Sequence, residues 1–303
     1  MPDWIINLFG MSYREIFTFT SIFAHLKDMF SGVSFKGFIS SIVAIADLLT
    51  MLLFSAPVAP RGQELNLDDY QLVFYDEFDQ GELDKDNWYV RNVGPVRCGY
   101  HSESQVEVKD GNLIITGEYL KDGEFGEGWY TSAVSLKERY KQGYFEVRCK
   151  CNPSKVFWSA FWLQSTAPYV PEISQGGVGG AEIDIFESVN TGKYFDQNAV
   201  SHNIHCAGVD GAEEGFQSAS LGAFYGENIY DEYNTYGLKS TDDEYIFYIN
   251  GVETRRSSFG NGVSEVLEEV IVSLEIPGED KLNALDKETY KTEFTVDYVR
   301  IYQ

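Results

Sequence analysis

The chain of 303 residues reads as an all-β protein, a sandwich of two antiparallel sheets behind an N-terminal hydrophobic, helical extension. Three observations predict this. From residue 71 onward, short runs rich in β-branched and aromatic residues recur at near-regular spacing. Turn residues separate them, and no long helical period appears after residue 60. Aromatic content is 15%, with 20 Tyr and 21 Phe, which suits a pleated, half-buried surface.

Residues 1–60 form a region of their own. Positions 38–54 are apolar except for Ser40, Ser41, Asp47 and Thr50. Such a run approaches the roughly 20 residues that cross a bilayer, although Asp47 would cost about 2.5–3.5 kcal/mol at its centre. A signal anchor, an uncleaved export signal, an amphipathic surface helix and an appended helix without a targeting role all fit this pattern. Membrane association through residues 38–55 and an extracellular or cell-surface location are the expectation. Residues 61–69 read as a polar linker, and 70–303 as one folded domain.

Within that domain the expected strands follow in order: QLVFYDEF (71–78), NLIITGEYL (112–120), TSAVSLKE (131–138), GYFEVRCKC (143–151) and VFWSAFWLQ (156–164). AEIDIFESV (181–189), EYIFYINGVETRR (244–256), EEVIVSLEIP (268–277) and EFTVDYVRIYQ (293–303) complete the set. Asp110-Gly111 marks a turn between strands, and Asn250-Gly251 between two apolar runs predicts a two-residue hairpin.

Composition narrows the partners. The net charge is −24, from 23 Lys+Arg against 47 Asp+Glu. The first 60 residues are nearly neutral, so this charge belongs to the β domain. A domain so acidic repels phosphate backbones and excludes nucleic acid as a partner. Neutral polysaccharide is compatible and anionic polysaccharide less so. The four cysteines match no zinc spacing and form no disulfide framework. Cys149 and Cys151 share a strand face, and most of the four read as small buried apolar residues; a pairing of Cys98 stays open.

The informative segment is Glu182-Ile183-Asp184-Ile185-Phe186-Glu187. Alternate side chains share a strand face, so Glu182 and Asp184 point one way and the isoleucines the other. Glu187 has the wrong parity, and strict alternation would bury its carboxylate in the core at heavy cost. A one-residue bulge near Ile185-Phe186 would return it to the acid face, as bulges beside active sites do. Two carboxyls about 5–5.5 Å apart on one face suit a retaining glycosidase, one as nucleophile and the other as acid/base. Glu182 is the expected nucleophile, Asp184 its helper and Glu187 the acid/base. A solvent-facing strand of a very acidic protein would show the same letters.

The run EIDIFE (182–187) resembles the signature of glycoside hydrolase family 16 in its bulged, laminarinase-like form. LVFYDEFD (72–79), DGNLIITGE (110–118), YTSAVSLKE (130–138), GYFEVRCK (143–150) with VFWSAFWLQ (156–164), DEYIFYINGVETRR (243–256) and FTVDYVRIYQ (294–303) resemble further blocks of that family, in order. The resemblance implies a concanavalin-like jelly roll with a cleft across one sheet. It assigns Glu182, Asp184 and Glu187 as the catalytic acids. Trp158, Trp162 and His205, and more weakly Asn92 and Glu103, become substrate-binding candidates. It further implies a structural Ca²⁺ at Glu77, Gly111 and Asp297, with no cofactor needed for catalysis. Cys206 stands where relatives often carry Trp, and Asn234 and Ser240 where they carry His and Trp.

The function this implies is a monomeric, retaining endo-hydrolase of β-glucan with β-1,3 or mixed β-1,3/1,4 linkages. A galactan hydrolase of agarase or carrageenase type, a transglycosylase and a non-catalytic β-glucan-binding module are the alternatives.

Overall fold

The computed structural model describes residues 57–154, 156–188 and 198–303. The apolar run at 38–54, and the expectation of an anchor with it, lies outside the described residues. Among those described, no helix is long and apolar enough to cross a membrane.

Eighteen strands occupy the described residues: β1 (Leu72–Asp76), β2 (Trp88–Val90), β3 (Gly94–Val96), β4 (Gly99–His101), β5 (Val106–Lys109), β6 (Asn112–Leu120), β7 (Gly128–Thr131), β8 (Ala133–Leu136) and β9 (Gly143–Lys150). The second half holds β10 (Trp158–Gln164), β11 (Glu182–Glu187), β12 (Ala199–Ala207), β13 (Phe216–Tyr225), β14 (Asn234–Ser240), β15 (Tyr245–Ile249), β16 (Val252–Ser257), β17 (Glu269–Glu275) and β18 (Lys291–Tyr302). They form two sheets. One has seven strands in the order β13-β12-β11-β10-β17-β8-β2. The other follows β16-β15-β14-β9-β18-β6-β7-β4-β3, with β1 beside β18 and β5 beside β6. Pairing is antiparallel except between β4 and β7. Consecutive strands pair in β10–β13 and β14–β16, while β10 with β17, β9 with β14 and β18 with β6 join segments distant in sequence, as a jelly roll requires.

Alternation decides what each strand buries. On β10, Phe161 and Leu163 enter the core while Trp158, Trp162 and Gln164 stay partly open. On β12, His202 and Ile204 are buried while Asn203 and His205 are not. The core fills the space between the sheets. Phe186 of β11 meets Tyr236 of β14 there, ring centroids 4.1 Å apart, which fastens the seven-stranded sheet to its partner. Truncating a buried ring of this kind costs about 3–5 kcal/mol.

Turn chemistry matches the expectation. Asn250 and Gly251 both take positive φ, 50° and 73°, as the hairpin between β15 and β16 demands. Asp110-Gly111 does the same between β5 and β6. All four cysteines are free, with Cys98 exposed and the other three buried.

The segment 61–69 differs from the expected linker. Gly62 N–H donates to the Glu253 carbonyl and Leu65 N–H to that of Gly251. Leu65, Leu67 and Tyr70 cover Tyr144, Ile246 and Tyr248. Its polar letters hide two leucines that cap a patch on the eleven-stranded sheet, so the hydrophobic effect holds the segment down.

Glu268 is buried beside Ala181, whose N–H points at its Oε1 from 3.4 Å. Burial pushes its carboxyl up to about 8, from an ordinary 4.5. The folded state therefore binds that proton more tightly than the unfolded state, and stability falls as pH rises across that window. Glu268→Gln, which carries no titrating proton, should flatten this slope. The variant should melt above the wild type at pH 8.5, by ~2–4 °C for each kcal/mol gained, and level with it near pH 5. Thermal unfolding followed by circular dichroism reads this; parallel pH profiles of the two proteins would refute it.

Candidate active site

Strand β11 lies between β10 and β12, and its register with both shows how Glu187 escapes the core. Toward β10, Phe161 faces Phe186 and Trp162 faces Asp184, which leaves Ile185 without a partner. Toward β12, Asp184 faces Asn203 and Glu187 faces Ser201, so Ile185 and Phe186 together oppose His202. This is the expected bulge. Ile185 and Phe186 are both buried, and Glu187 returns to the face of Glu182. His202 is buried against the bulge, its Nδ1 2.5 Å from the Ile185 carbonyl and its Nε2 2.9 Å from Thr254 Oγ1. Burial lowers this imidazole to about 4, so it is neutral at physiological pH. A carbonyl only accepts, so Nδ1 carries the proton and satisfies the group the bulge leaves unpaired.

Glu182, Asp184 and Glu187 line one cleft of about 260 Å³ with Arg97, Ala160, Trp162, Gln164, Tyr169 and Glu275. Gln164 Nε2 donates to Glu182 Oε2, and Tyr169 lines the same cleft. Asp184 is buried, and its Oδ2 lies 3.1 Å from His205 Nε2. Glu187 accepts from two donors, the Trp158 indole N–H at 2.8 Å on Oε1 and the Asn203 amide at 2.7 Å on Oε2.

These surroundings separate the acids. Burial pushes Glu187 up to about 7, with the Asp184 charge adding and the Trp158 N–H opposing. Burial likewise takes Asp184 to about 6, against the pull of His205 and with help from Glu182. His205 is raised in turn, first by its bond to Asp184. Neutral pH thus leaves Glu187 poised between its two forms, as a group that must give and retake a proton needs.

Of the other expected site residues, Trp158, Trp162 and His205 lie at the acids. Trp162 lines the cleft and donates to Ser273 Oγ at 3.0 Å. Asn92 and Glu103 are not brought there. Asn92 is exposed in a left-handed turn after β2. Glu103 is exposed, pairs with Lys85 at 3.1 Å and lines a different pocket beside Trp88. From the loop between them it is Arg97 that reaches the cleft, through a positive φ of 42° that turns its side chain toward Glu275, 3.4 Å away.

Two of the residues assigned to calcium carry an arginine on the side chain. Arg300 grips the Glu77 carboxylate with two bonds of 2.8 and 3.1 Å. Arg148 donates to Asp297 Oδ2 at 2.5 Å. Ca²⁺ at this place would draw on the backbone carbonyls of Glu77 and Gly111 and on the Asp297 carboxylate that Arg148 holds. Cys206 faces the core, so nothing at its position offers a ring to the cleft.

Sequence reading missed His202, Asn203, Gln164, Tyr169, Arg97 and Glu275. Asn203 was within reach, because it shares parity with His205 on β12. Gln164 shares parity with Trp162 in the same way. Tyr169 and Arg97 sit on loops, where no period foretells direction.

Comparison with known proteins places this geometry. The family model described as the GH16 domain of β-porphyranases A–D matches residues 71–303. Among solved structures, the chain is similar to SCLam, a non-specific endo-β-1,3(4)-glucanase from family GH16. Identity is 23% and TM-score 0.64, covering 82% of this chain and 97% of that one. It is also similar to LamAcat from Zobellia galactanivorans, at 19% identity and TM-score 0.60, over 77% of this chain and 98% of that one. The laminarinase catalytic domain from Thermotoga maritima is comparable, at 19% and 0.61, over 77% and 98%. A search of curated proteins found no match. The structural likenesses establish the sandwich fold, and the family model spans the whole β domain with its acids. The chain is a member of glycoside hydrolase family 16, in the group that the β-porphyranase A–D model describes.

Proposed function

We propose that this chain is a retaining, endo-acting hydrolase of a porphyran-type galactan. Glu182 is the nucleophile, Glu187 the acid/base and Asp184 the residue that orients and tunes both. The observation behind the chemistry is the bulge in β11, which gives one cleft two glutamates with different surroundings. Glu182 attacks the anomeric carbon while Glu187 passes its proton to the leaving glycosidic oxygen. Glu187 then takes a proton from water, whose oxygen displaces Glu182 and frees the sugar with its configuration retained. The Asp184 charge beside Glu187 favours its protonated form before attack, while His205 opposes it.

Two observations support the galactan. The family model over residues 71–303 is that of β-porphyranases. The Arg97 side chain is 55% exposed at the cleft, and a guanidinium fork suits the sulfate esters of such a polymer. The net charge of −24 opposes anionic substrates only at range, since salt screens exposed charges beyond roughly 8–10 Å. β-Glucan, the leading expectation from sequence, has fold-level likeness behind it, and fold does not fix substrate. The intact, hydrogen-bonded glutamates argue against a mere binding module.

Oligosaccharide release from porphyran, agarose, laminarin and lichenan tests the substrate. Porphyran should be cut internally, with β-configured products at early times by NMR. Cleavage of laminarin alone would move the reading to β-glucan, and no turnover on any of the four would defeat the hydrolase claim. Glu182→Gln should lower kcat by about 10³-fold or more.

The pH profile tests the acid/base. kcat/KM should fall above pH about 7, as Glu187 loses its proton. Trp158→Phe removes an N–H that favours the carboxylate, so its alkaline limb should move to higher pH. The displacement should reach up to about one pH unit, matching the ~1.4 kcal/mol of a hydrogen bond to a charged group. A limb that stays in place or moves toward acid would exclude this role for Glu187.

A further inference from the structure

Both tryptophans expected to stack on sugar have an arginine on the ring. Arg97 lies over Trp158 at 5.3 Å from the centroid, and Arg91 over Trp162 at 5.2 Å. Trp158 also uses its indole N–H on Glu187. Cys206 points into the core. Yet two rings beside the acids are open to water, Phe216 at 59% and Tyr169 at 42% exposure.

Their placement is not random. Phe216 opens β13 opposite Ala207, and it shares parity with Ser218, whose Oγ lies 2.6 Å from His205 Nδ1. Phe216 therefore stands on the cleft face. Its ring is 5.3 Å from that of Tyr169 at an interplanar angle of 58°, and 6.1 Å from the His205 imidazole. Tyr169 lines the cleft with Glu182, and His205 bonds Asp184. Each neighbour of the exposed ring thus belongs to the surroundings of the acids. Arg97 reaches the cleft from the other direction, through Glu275 of β17, whereas Phe216 belongs to β13. In the sheet, β17 and β13 each lie two strands from β11, on opposite sides. A polymer crossing β11 from the Arg97 side runs onto Phe216.

We infer that Phe216 and Tyr169 form an aromatic subsite for a pyranose unit of the bound polymer, on the β12–β13 side of the catalytic acids. A pyranose offers an apolar face of C–H groups, and an exposed ring gains by covering it. A large exposed apolar side chain next to a cleft marks a binding surface, because leaving it wet forfeits burial. The inference deepens the hydrolase reading by adding a determinant of polymer binding in the same cleft.

Affinity electrophoresis of the full chain through gels containing porphyran or laminarin tests it. The Glu182→Gln protein holds polymer without turnover, and Phe216→Ala, Phe216→Leu and Phe216→Trp are compared in that background. Thermal unfolding checks that each variant folds, as truncation at an exposed position permits. On the polymer that retards the parent, the Ala and Leu variants should bind about tenfold more weakly, equivalent to ~1.4 kcal/mol, while the Trp variant stays within about twofold of the parent. Ala or Leu binding as tightly as the parent would overturn the subsite. So would a Trp variant as weak as Ala, or a parent retarded by neither polymer. Wild-type product release is scored separately. Turnover with no effect at Phe216 sinks the subsite alone, and ring-dependent binding without turnover sinks the hydrolase reading alone.

Discussion

One extra residue in one strand sets the chemistry of this protein. A strand without the bulge at Ile185-Phe186 would present Glu182 and Asp184 to the cleft and drive Glu187 into the core beside Ile183 and Ile185. Burying a lone carboxylate there is costly enough that it would stay protonated or the strand would shift. The bulge instead puts two apolar side chains in succession into the core and returns the next one to the open face. Its own liability is an unpaired carbonyl, which the neutral, buried His202 satisfies. The core therefore supports the site directly: Phe186 locks against Tyr236 of the opposite sheet, and the carboxylate that follows inherits that rigidity.

The three acids are chemically similar and are told apart by what surrounds them. Glu182 accepts a hydrogen bond from Gln164. Asp184 is buried and shares a proton donor with no one but His205 among the contacts described. Glu187 is buried enough to favour its neutral form, yet the Trp158 N–H moderates this. The strands on either side of β11 supply these different surroundings. β10 contributes Trp158, Trp162 and Gln164, while β12 contributes Asn203 and His205.

The arginines show how an acidic protein spends its few cations. Arg300 and Arg148 neutralise Glu77 and Asp297 where relatives are expected to use a metal. Arg91 and Arg139 both reach Glu269 at the end of β17. Arg97 stands at the cleft itself. Positive charge is thus concentrated at structural carboxylates and at the substrate face, which lets a chain of net charge −24 keep a locally mixed cleft.

Much of the fold was legible without coordinates. Runs rich in β-branched and aromatic residues marked β1, β6, β8–β11 and β15–β18 but not β12–β14, Asn250-Gly251 named its hairpin, and the parity conflict at Glu187 required a bulge, because a carboxylate cannot be left alone in a core. The choice of Glu182, Asp184 and Glu187 as candidate acids followed from that one local argument together with a family resemblance spread over several blocks. What the sequence could not specify was everything that depends on which strands become neighbours. The partners of Glu187 come from residues 29 positions before it and 16 after it. The loop arginine at the cleft, the capture of residues 61–69 by the eleven-stranded sheet, the cations at Glu77 and Asp297, and the exposed ring of Phe216 beside His205 all arise from long-range packing. Periodicity reports which face a side chain takes; only the folded chain decides what that face meets.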